Sequence, residues 1–439
     1  MTDILSWAKK FIATPSVSAD GNLAIARLAA ELIEEIGGRA RLLEARHQGV
    51  EHTTIVADFG PEPSEADPGV LLITHLDTVP PGPTELWTQT DENPFQPTEQ
   101  GDKLYGLGSA DAKVDFVCKC AALESVIQQR LVRPIRIIGS FAEEIGMVGA
   151  RWLVENGLTR GFHHTLISEP SELTAIRAHK GYGVYEARIP LRVAGHASVT
   201  TRHDLQGESA HSSTPHLGVN AIEAALERLG EDSHAGFTDI CGGAAVNQVP
   251  ARCSIDLARE TQSGFGTEIF TAEPLLSFYL AWRNLLEELS EAKDPAFDPA
   301  HTVGNLGKIR LDGSQVLISF DLRPIPGVRL EDAIEPLTET AEIVCLRTNP
   351  ALHTSENSTL LAAVQQAQAR IGIGERVGTK ATCTEAGVIS EAGLECLVLG
   401  PGLSVGNVHK PNEHTRIPEL ELARQLYGEI LTDLCVQKR

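Results

Sequence analysis

The chain begins with short apolar runs that alternate with amphipathic stretches. Apolar runs bounded by turn-forming residues predict buried strands at residues 53–59, 70–73, 135–141, 166–167 and 395–399. Apolar residues at helical spacing predict helices at 2–13, 22–37, 112–129, 147–156, 358–371 and 418–436. Because strands and helices alternate, we expect an α/β fold with a mostly parallel sheet and helices on both faces.

The pattern changes at about residue 184. Strands are predicted at 184–193, 251–257 and 314–322, and helices at 219–229 and 274–290. A helix at 330–341 then returns the chain to the first pattern. Strands with one covered face beside helices indicate an α+β module. We therefore predict a discontinuous first domain, 1–183 and 328–439, with a second domain, 184–327, inserted into it.

Length, composition and charge narrow the class of protein. With 439 residues, the chain is long enough for two domains. The net charge of −22 argues against nucleic acid and anionic membranes as partners. The eight cysteines form no CxxC pair, and no run reaches the length of a membrane span. No secretory signal is evident, so we expect reduced thiols and a cytoplasmic location.

The first candidate functional residues lie where the predicted strand at 70–73 ends, since His75 and Asp77 follow it closely. In an extended chain, residues i and i+2 point to the same face. Asp77 can then accept the second ring N–H of His75, as a carboxylate behind a metal-binding histidine does. The alternative is a strand followed by a turn that has no function.

Four further positions carry matching groups: Asp111, the pair Glu143-Glu144, Glu169 and His409. Both glutamate positions follow predicted strands, and ligands of parallel sheets bind beyond the carboxyl ends of strands. Two histidines with several carboxylates suit zinc or a similar metal. Adjacent glutamates on an extended backbone point apart, so one can bind metal while the other acts as a base. Taken singly, the glutamates fit a solvated strand end and His409 an ordinary loop histidine.

Eight motifs together resemble the dinuclear zinc amidohydrolases, which include acetylornithine deacetylase, succinyl-diaminopimelate desuccinylase, aminoacylases and glutamate carboxypeptidases. The motifs are HLDTVP (75–80), KLYGLGSADAK (103–113), EEIGMVGA (143–150), SEPSEL (168–173), GESAHSSTPHLGVNAI (207–222), DLRPIPG (321–327), LVLGPG (397–402) and NVHKPNEH (407–414). Within this family, KLYGLGSAD, RAHKG (177–181) and CTEAG (383–387) are most similar to acetylornithine deacetylase.

The resemblance implies a role for each motif residue. Asp111 would bridge two Zn²⁺, for which Co²⁺ is a substitute. His75 and Glu169 would complete one metal site, and Glu144 and His409 the other.

Glu143 would be the general base, with Asp77 orienting His75. The resemblance also implies that His211, in the inserted domain, would polarise the scissile carbonyl in the partner subunit of a homodimer. Arg323 or Asn247 would hold the substrate carboxylate. Glu385 would face the substrate side chain or support the metals, and its alternative role is to cap a helix.

The activity implied by the resemblance is hydrolysis of the amide bond of an N-acyl amino acid, as in arginine biosynthesis. The two cations would lower the pKa of a shared water, and Glu143 would move its proton to the leaving amine. Carboxypeptidase, dipeptidase or desuccinylase activity on the same fold is the alternative. A scaffold protein without catalysis is the rival from another class.

The chain departs from the family pattern at three places. Val114 stands where the family usually has glycine. Residues 194–206 look like an insertion, and the asparagine-proline strand within 242–253 precedes the long helix. We therefore expect a rearranged or enlarged inserted domain. The other histidines are predicted on the surface or in loops: His163, His164, His196, His203, His216, His234, His301 and His353.

Overall fold

The computed structural model describes residues 2–231, 236–259 and 266–438, so His234 lies outside the described residues. The chain divides into two units. The first comprises the described residues up to Ala178, Leu352–Thr379 and those from Thr384 onward. The second comprises His179–Ala351 and Lys380–Cys383. The second unit extends beyond the predicted 184–327 because a strand at Glu342–Asn349 pairs with its sheet.

The helices of the described residues are α1 Ile4–Ala13, α2 Leu23–Glu35, α3 Lys113–Val126, α4 Val148–Glu155, α5 Ala221–Gly230, α6 Glu273–Leu289, α7 Leu330–Ile334, α8 Thr359–Arg370, α9 Glu385–Glu391 and α10 Ile417–Cys435. The strands are β1 Arg41–His47, β2 Val50–Phe59, β3 Gly69–His75, β4 Thr98–Gln100, β5 Lys103–Tyr105, β6 Ile135–Ser140, β7 Phe162–Ile167, β8 Ala175–His179, β9 Tyr182–Pro190, β10 Val193–Ala197, β11 Thr200–Gln206, β12 Gly236–Gly242, β13 Arg252–Ala258, β14 Thr267–Phe270, β15 Val303–Asp312, β16 Gln315–Arg323, β17 Glu342–Asn349, β18 Leu352–His353, β19 Val377–Lys380, β20 Glu395–Val398 and β21 His414–Arg416.

The main sheet of the first unit has the order β1-β2-β6-β3-β7-β20-β8-β18, with β19 paired to β8. Its centre is parallel, because β6, β3, β7 and β20 run in one direction. On either side, β2 pairs with β6 and β8 pairs with β20 in the antiparallel sense. Every residue of β3 and β6 is buried, as expected for strands covered on both faces. The centre of the sheet therefore aligns the carboxyl ends of four strands.

One hydrophobic core holds the helices of the first unit to this sheet. Phe11 of α1, Leu32 of α2, Val117 of α3 and Leu426 of α10 are fully buried in it. Helix α3 is buried along nearly its whole length, including both its predicted packing cysteines, Cys118 and Cys120. Because α3 begins two residues after Asp111, its burial fixes where that carboxylate lies.

The second unit has a sheet of order β10-β14-β12-β15-β16-β9-β17, in which β11 pairs with β13 and β13 with β12. Helices α5 and α6 bury their apolar sides against this sheet. The ring of Trp282 on α6 meets that of Phe320 on β16 edge to face, with centroids 5.2 Å apart. The segment that looked inserted, 194–206, forms most of β10 and all of β11 and so enlarges this sheet.

Two predicted elements differ from the structure. The helix predicted at 330–341 is shorter in the structure: α7 ends at Ile334, and a 3₁₀ helix follows at Glu335–Glu339. Pro336 lacks a backbone N–H and so interrupts the α-helix. The loop predicted at 80–103 contains β4 and the first residue of β5, which form a small sheet with β21. Among the described residues, no helix combines the length and the apolarity that a membrane crossing requires.

Candidate active site

Three neighbouring parallel strands deliver acidic and imidazole side chains to one edge of the sheet. His75 is the last residue of β3, and it pairs with Ser140, the last residue of β6. Glu143 and Glu144 follow β6, and Glu169 lies two residues beyond β7. This placement agrees with the general rule that open α/β sheets bind ligands beyond the carboxyl ends of strands.

Asp111 lies at the centre of this group. Its Oδ1 is 3.0 Å from Nε2 of His75, and its Oδ2 is 3.1 Å from Nε2 of His409. The same nitrogen of His409 is 3.1 Å from Oε2 of Glu144. One donor atom each from His75, Asp111 and Glu144 lies within 4.8 Å of the others. Nitrogen and carboxylate donors at this spacing suit zinc or a similar metal.

The backbone of Asp77 does what was predicted for its side chain. Nδ1 of His75 is 3.1 Å from the Asp77 carbonyl oxygen and 3.8 Å from the carboxylate. The carboxylate instead accepts hydrogen bonds from the hydroxyl of Ser18 at 2.6 Å and from the backbone N–H groups of Glu143 and Glu144. Asp77 therefore holds the tautomer of His75 through its carbonyl and the two glutamates through its carboxylate.

The glutamates share an environment that opposes negative charge. Burial, followed by repulsion from Glu144, raises the pKa of Glu143 well above its usual range. Burial, followed by repulsion from Asp111, raises the pKa of Glu144 to about 7. Glu169 also raises the pKa of Glu143, which places its charge near this group. A bound cation would relieve this repulsion, so the residues fit the metal that the motifs imply.

Asp111 and the imidazoles near it are instead shifted toward their charged forms. Burial would raise the pKa of Asp111, but its contacts with His409 and His75 lower that pKa far below its usual value. The contacts with Asp111 and Glu144 raise the pKa of His409 to about 11. The carboxylates thus stabilise positive charge at two positions, one beside each oxygen of Asp111.

Glu413 supports Asp111, although the motif analysis did not single it out. Its Oε1 accepts hydrogen bonds from the backbone N–H groups of Ala110 and Asp111, at 2.9 and 3.1 Å. Burial, followed by repulsion from Asp111, raises its pKa to about 8. The residue lies in NVHKPNEH, directly after Pro411-Asn412, so its place in that motif was the one available sequence signal.

A buried polar network beneath the site was also missed. Nζ of Lys119 on α3 donates to the hydroxyl of Ser168 at 2.6 Å and to the carbonyls of Ile73 and Leu166. Asp115, one turn earlier, lies 3.5 Å from Lys119 and accepts from Ser168. The pair Asp115 and Lys119, one turn apart within a largely apolar stretch, was the sequence signal. The network joins α3 to the ends of β3 and β7.

Glu385 is fully buried at the start of α9, in the first unit. Its Oε2 accepts a hydrogen bond from Ser140 at 3.0 Å, and burial raises its pKa to about 7. Among the described residues its Oε1 has no hydrogen-bond partner. The helix cap is Thr384, whose side chain accepts from the N–H of Ala386, so Glu385 does not have the capping role.

His211 lies in the second unit. The backbone N–H of Ser213 points to its Nδ1 at 3.1 Å, and the Ser213 hydroxyl lies 2.7 Å from the same atom. A ring nitrogen that accepts carries no proton, so the neutral ring bears its hydrogen on Nε2. Burial, followed by the charge of Arg323, lowers the pKa of His211 and favours this neutral form.

Arg323 and Asn247, the predicted carboxylate-binding residues, also lie in the second unit and are linked through Ser212. The Ser212 N–H donates to the Asn247 carbonyl at 3.1 Å, and Arg323 donates to the Ser212 hydroxyl at 3.2 Å. The Arg323 guanidinium also stacks over the ring of Tyr182, 3.6 Å from its centroid. Asn247 is exposed, whereas Arg323 is buried.

One surface prediction was wrong: His164 lies within β7 and is buried, because its side chain points to the covered face of the sheet.

Comparison with known proteins identifies the family. The model described as Peptidase family M20/M25/M40 matches residues 71–433. The chain belongs to this family. Acetylornithine deacetylase of Yersinia pseudotuberculosis serotype O:1b is 29% identical over 453 residues, which cover 98% of this chain and 97% of that protein.

Two solved structures show the same fold. Aminoacylhistidine dipeptidase from Vibrio alginolyticus superposes with a TM-score of 0.72 at 16% identity, over 99% of this chain and 97% of that one. A dinuclear metal-binding peptidase of the M20 family from Bacillus subtilis gives a TM-score of 0.53 at 14% identity, over 97% and 96%. The predicted fold class is confirmed. As a member of the M20 family, the chain is a metal-dependent hydrolase of amide bonds.

Proposed function

We propose that the chain removes the acyl group from an N-acyl amino acid of the acetylornithine type. The observation that carries the proposal is the placement of Asp111 between His75 and His409, beside Glu144. The relative from Yersinia pseudotuberculosis, named acetylornithine deacetylase, supports this substrate class. A dipeptide is the second candidate, because the structure with a TM-score of 0.72 is named a dipeptidase.

The proposed cofactor is a pair of Zn²⁺ ions, with Co²⁺ as a substitute. Asp111 would help to hold both ions, since each of its oxygens faces one imidazole nitrogen. His75 and Glu169 would bind one ion, and Glu144 and His409 the other. When bound, such ions lower the pKa of a water and stabilise charge that develops on the substrate oxygen.

Glu143 is the proposed general base. It follows the same strand as Glu144 and is buried. Burial raises its pKa, the direction that favours taking a proton from water, which Glu143 would pass to the leaving amine. Asp77 assists by holding the backbone N–H groups of both glutamates.

His211 is the proposed donor to the scissile carbonyl, acting from the partner subunit of a homodimer. Its Nδ1 is engaged by Ser213, so its Nε2–H is the proton available for a substrate oxygen. Donors of this kind contribute about 2.7–4 kcal/mol when the oxygen becomes an anion. Arg323 and Asn247 are the proposed partners of the substrate carboxylate. We further propose that the enzyme acts in the cytoplasm and catalyses a step in arginine biosynthesis.

A substrate panel tests the proposed activity. Zinc-loaded and cobalt-loaded enzyme would be assayed on acetylornithine, neutral N-acetyl amino acids, succinylated substrates and dipeptides. We expect the highest kcat/KM on acetylornithine and loss of all amidase activity in chelator. A higher kcat/KM on dipeptides than on acetylornithine would instead assign dipeptidase activity to the chain.

A further inference from the structure

A second group of metal-binding side chains lies near the amino ends of the parallel strands. It consists of His163 and His164 on β7 and Glu395, the first residue of β20. The two strands pair in parallel, with Glu395 opposite His164. Strand register places Val70 beside His164, whereas His75 ends the same strand β3 five residues later. At about 3.3 Å per residue, this group lies roughly 16 Å along the sheet from His75.

The donor atoms are close enough to share one ion. One nitrogen of each histidine and one oxygen of Glu395 lie within 4.8 Å of one another. The two imidazole rings are 4.8 Å apart between centroids, and Nδ1 of His164 is 2.9 Å from Oε2 of Glu395. Donors around a tetrahedral zinc lie about 3.3 Å apart, given bonds of about 2.0–2.2 Å. Small side-chain rotations would therefore bring all three onto one ion.

The hydrogen bonds around His164 indicate which nitrogen faces the ion. Its Nε2 is 3.4 Å from the hydroxyl of Thr359, the first residue of α8. Among the described residues, its buried Nδ1 has no hydrogen-bond partner of acceptable geometry, although the carboxylate of Glu395 is 2.9 Å away. If Nε2–H donates to Thr359, the lone pair of Nδ1 faces a carboxylate oxygen. A cation between these two acceptors would satisfy both of them.

The remaining contacts keep the carboxylate in place and the site accessible. Oε2 of Glu395 also accepts from the N–H of Leu360 in the first turn of α8, at 3.3 Å. His164 is 6% exposed, whereas His163 is exposed to solvent. An ion could thus enter from the His163 side and be held by the buried His164 and the half-buried Glu395 on the other.

We propose that His163, His164 and Glu395 form a binding site for a divalent cation of the zinc type, separate from the catalytic metals. Two imidazoles and one carboxylate match the ligands of zinc, with the solvent side left for water. The hydroxyl of Thr359 would act as the outer partner that orients a metal-binding histidine. The inference stands on this group alone and does not depend on the identity of the substrate.

Zinc titration of the full chain tests the site. Metal-free wild type, His163→Ala and Glu395→Gln would be equilibrated with Zn²⁺ at buffered free concentrations, and bound zinc measured by mass spectrometry. We expect each variant to bind one equivalent less than wild type. Amidase activity, measured with the catalytic metals restored, should be unchanged in both. Glu395→Gln keeps the size of the side chain and an acceptor for Leu360, so it guards against misfolding in the first variant.

Two further variants sharpen the test. Thr359→Val should lower the affinity for the additional zinc by about 10–100-fold, as the loss of a hydrogen-bond partner behind a metal-binding histidine does. His353→Ala removes an exposed histidine of β18 and should bind as much zinc as wild type. Equal zinc in wild type, His163→Ala and Glu395→Gln would overturn the proposal. An equal loss in His353→Ala would also overturn it, because the extra zinc would then be held by surface histidines in general.

Discussion

At the scale of single residues, the two adjacent glutamates that follow β6 make different contacts. Glu144 contacts His409, whereas Glu143 is buried beside it without that contact. Asp77 binds the backbone of both glutamates, so it aligns the proposed metal ligand and the proposed base together. This difference between two adjacent acids can be measured.

Glu143→Ala should keep the metals and lose most turnover. Its carboxylate is assigned to proton transfer, which contributes about 10²–10⁴-fold to rate. Metal content and kcat would be measured together, with Glu144→Gln as the matched variant that is expected to lose metal. A Glu143→Ala protein that has lost metal in proportion to its activity would show that the two glutamates have exchanged roles.

Glu385→Gln should impair cationic substrates more than neutral ones. The carboxylate is fully buried and its Oε1 has no partner among the described residues, so a substrate ammonium would complete it. Leaving one member of such a pair unmatched costs about 2–5 kcal/mol. The check is kcat/KM on acetylornithine against a neutral N-acetyl amino acid of similar size. Equal losses on the two substrates would assign Glu385 to support of the metals instead.

At the scale of secondary-structure elements, α3 is the support on which the site is built. Asp111 lies two residues before the first residue of the helix, and Lys119 within the helix donates to Ser168, the residue before Glu169. The charges of Lys119 and Asp115 are buried and 3.5 Å apart. Burying two charges is acceptable only when they remain paired and hydrogen-bonded.

Lys119→Met should destabilise the protein strongly. The change leaves Asp115 buried without its cation, which costs about 3–5 kcal/mol and lowers the thermal midpoint by on the order of 10 °C. Lys9→Met is the control, because Lys9 pairs with Glu99 at the surface, where such pairs contribute about 1 kcal/mol or less. The measurement is thermal unfolding of the metal-loaded proteins. Equal shifts in the two variants would show that the buried network does not stabilise the sheet.

At the scale of the whole molecule, the two units carry different parts of the proposed chemistry. The first holds the metal ligands and Glu143, and the second holds His211, Arg323 and Asn247. If His211 acts on a neighbouring subunit, catalysis needs two chains.

Mixing inactive variants tests that requirement. His211→Ala should lower kcat by about 10²–10³ with unchanged metal content. In mixed dimers of His211→Ala and Glu143→Ala, one of two sites would be intact, so random exchange should restore about a quarter of the wild-type activity. Native mass spectrometry would confirm that mixed dimers form. Mixed dimers without activity would place His211 in its own subunit's site or outside catalysis.

Much of the fold and the candidate site could be predicted because each depends on local pattern. The apolar runs at 70–73 and 135–141 became the buried strands β3 and β6. His75, Glu143, Glu144 and Glu169 were predicted at strand ends, and the structure has them there. Edge strands such as β1, with its exposed residues, carry no such pattern and were not predicted.

The sequence by itself determined the family, the fold class and the residue types that meet at the carboxyl edge of the sheet. Only the tertiary structure showed that the Asp77 carbonyl holds His75, that Glu413 supports Asp111 and that Lys119 is buried beneath Ser168. These contacts join residues whose backbone groups or side chains meet only after folding. Burial also set the pKa shifts of Glu143, Glu144 and Glu385, since desolvation depends on packing that no local pattern encodes.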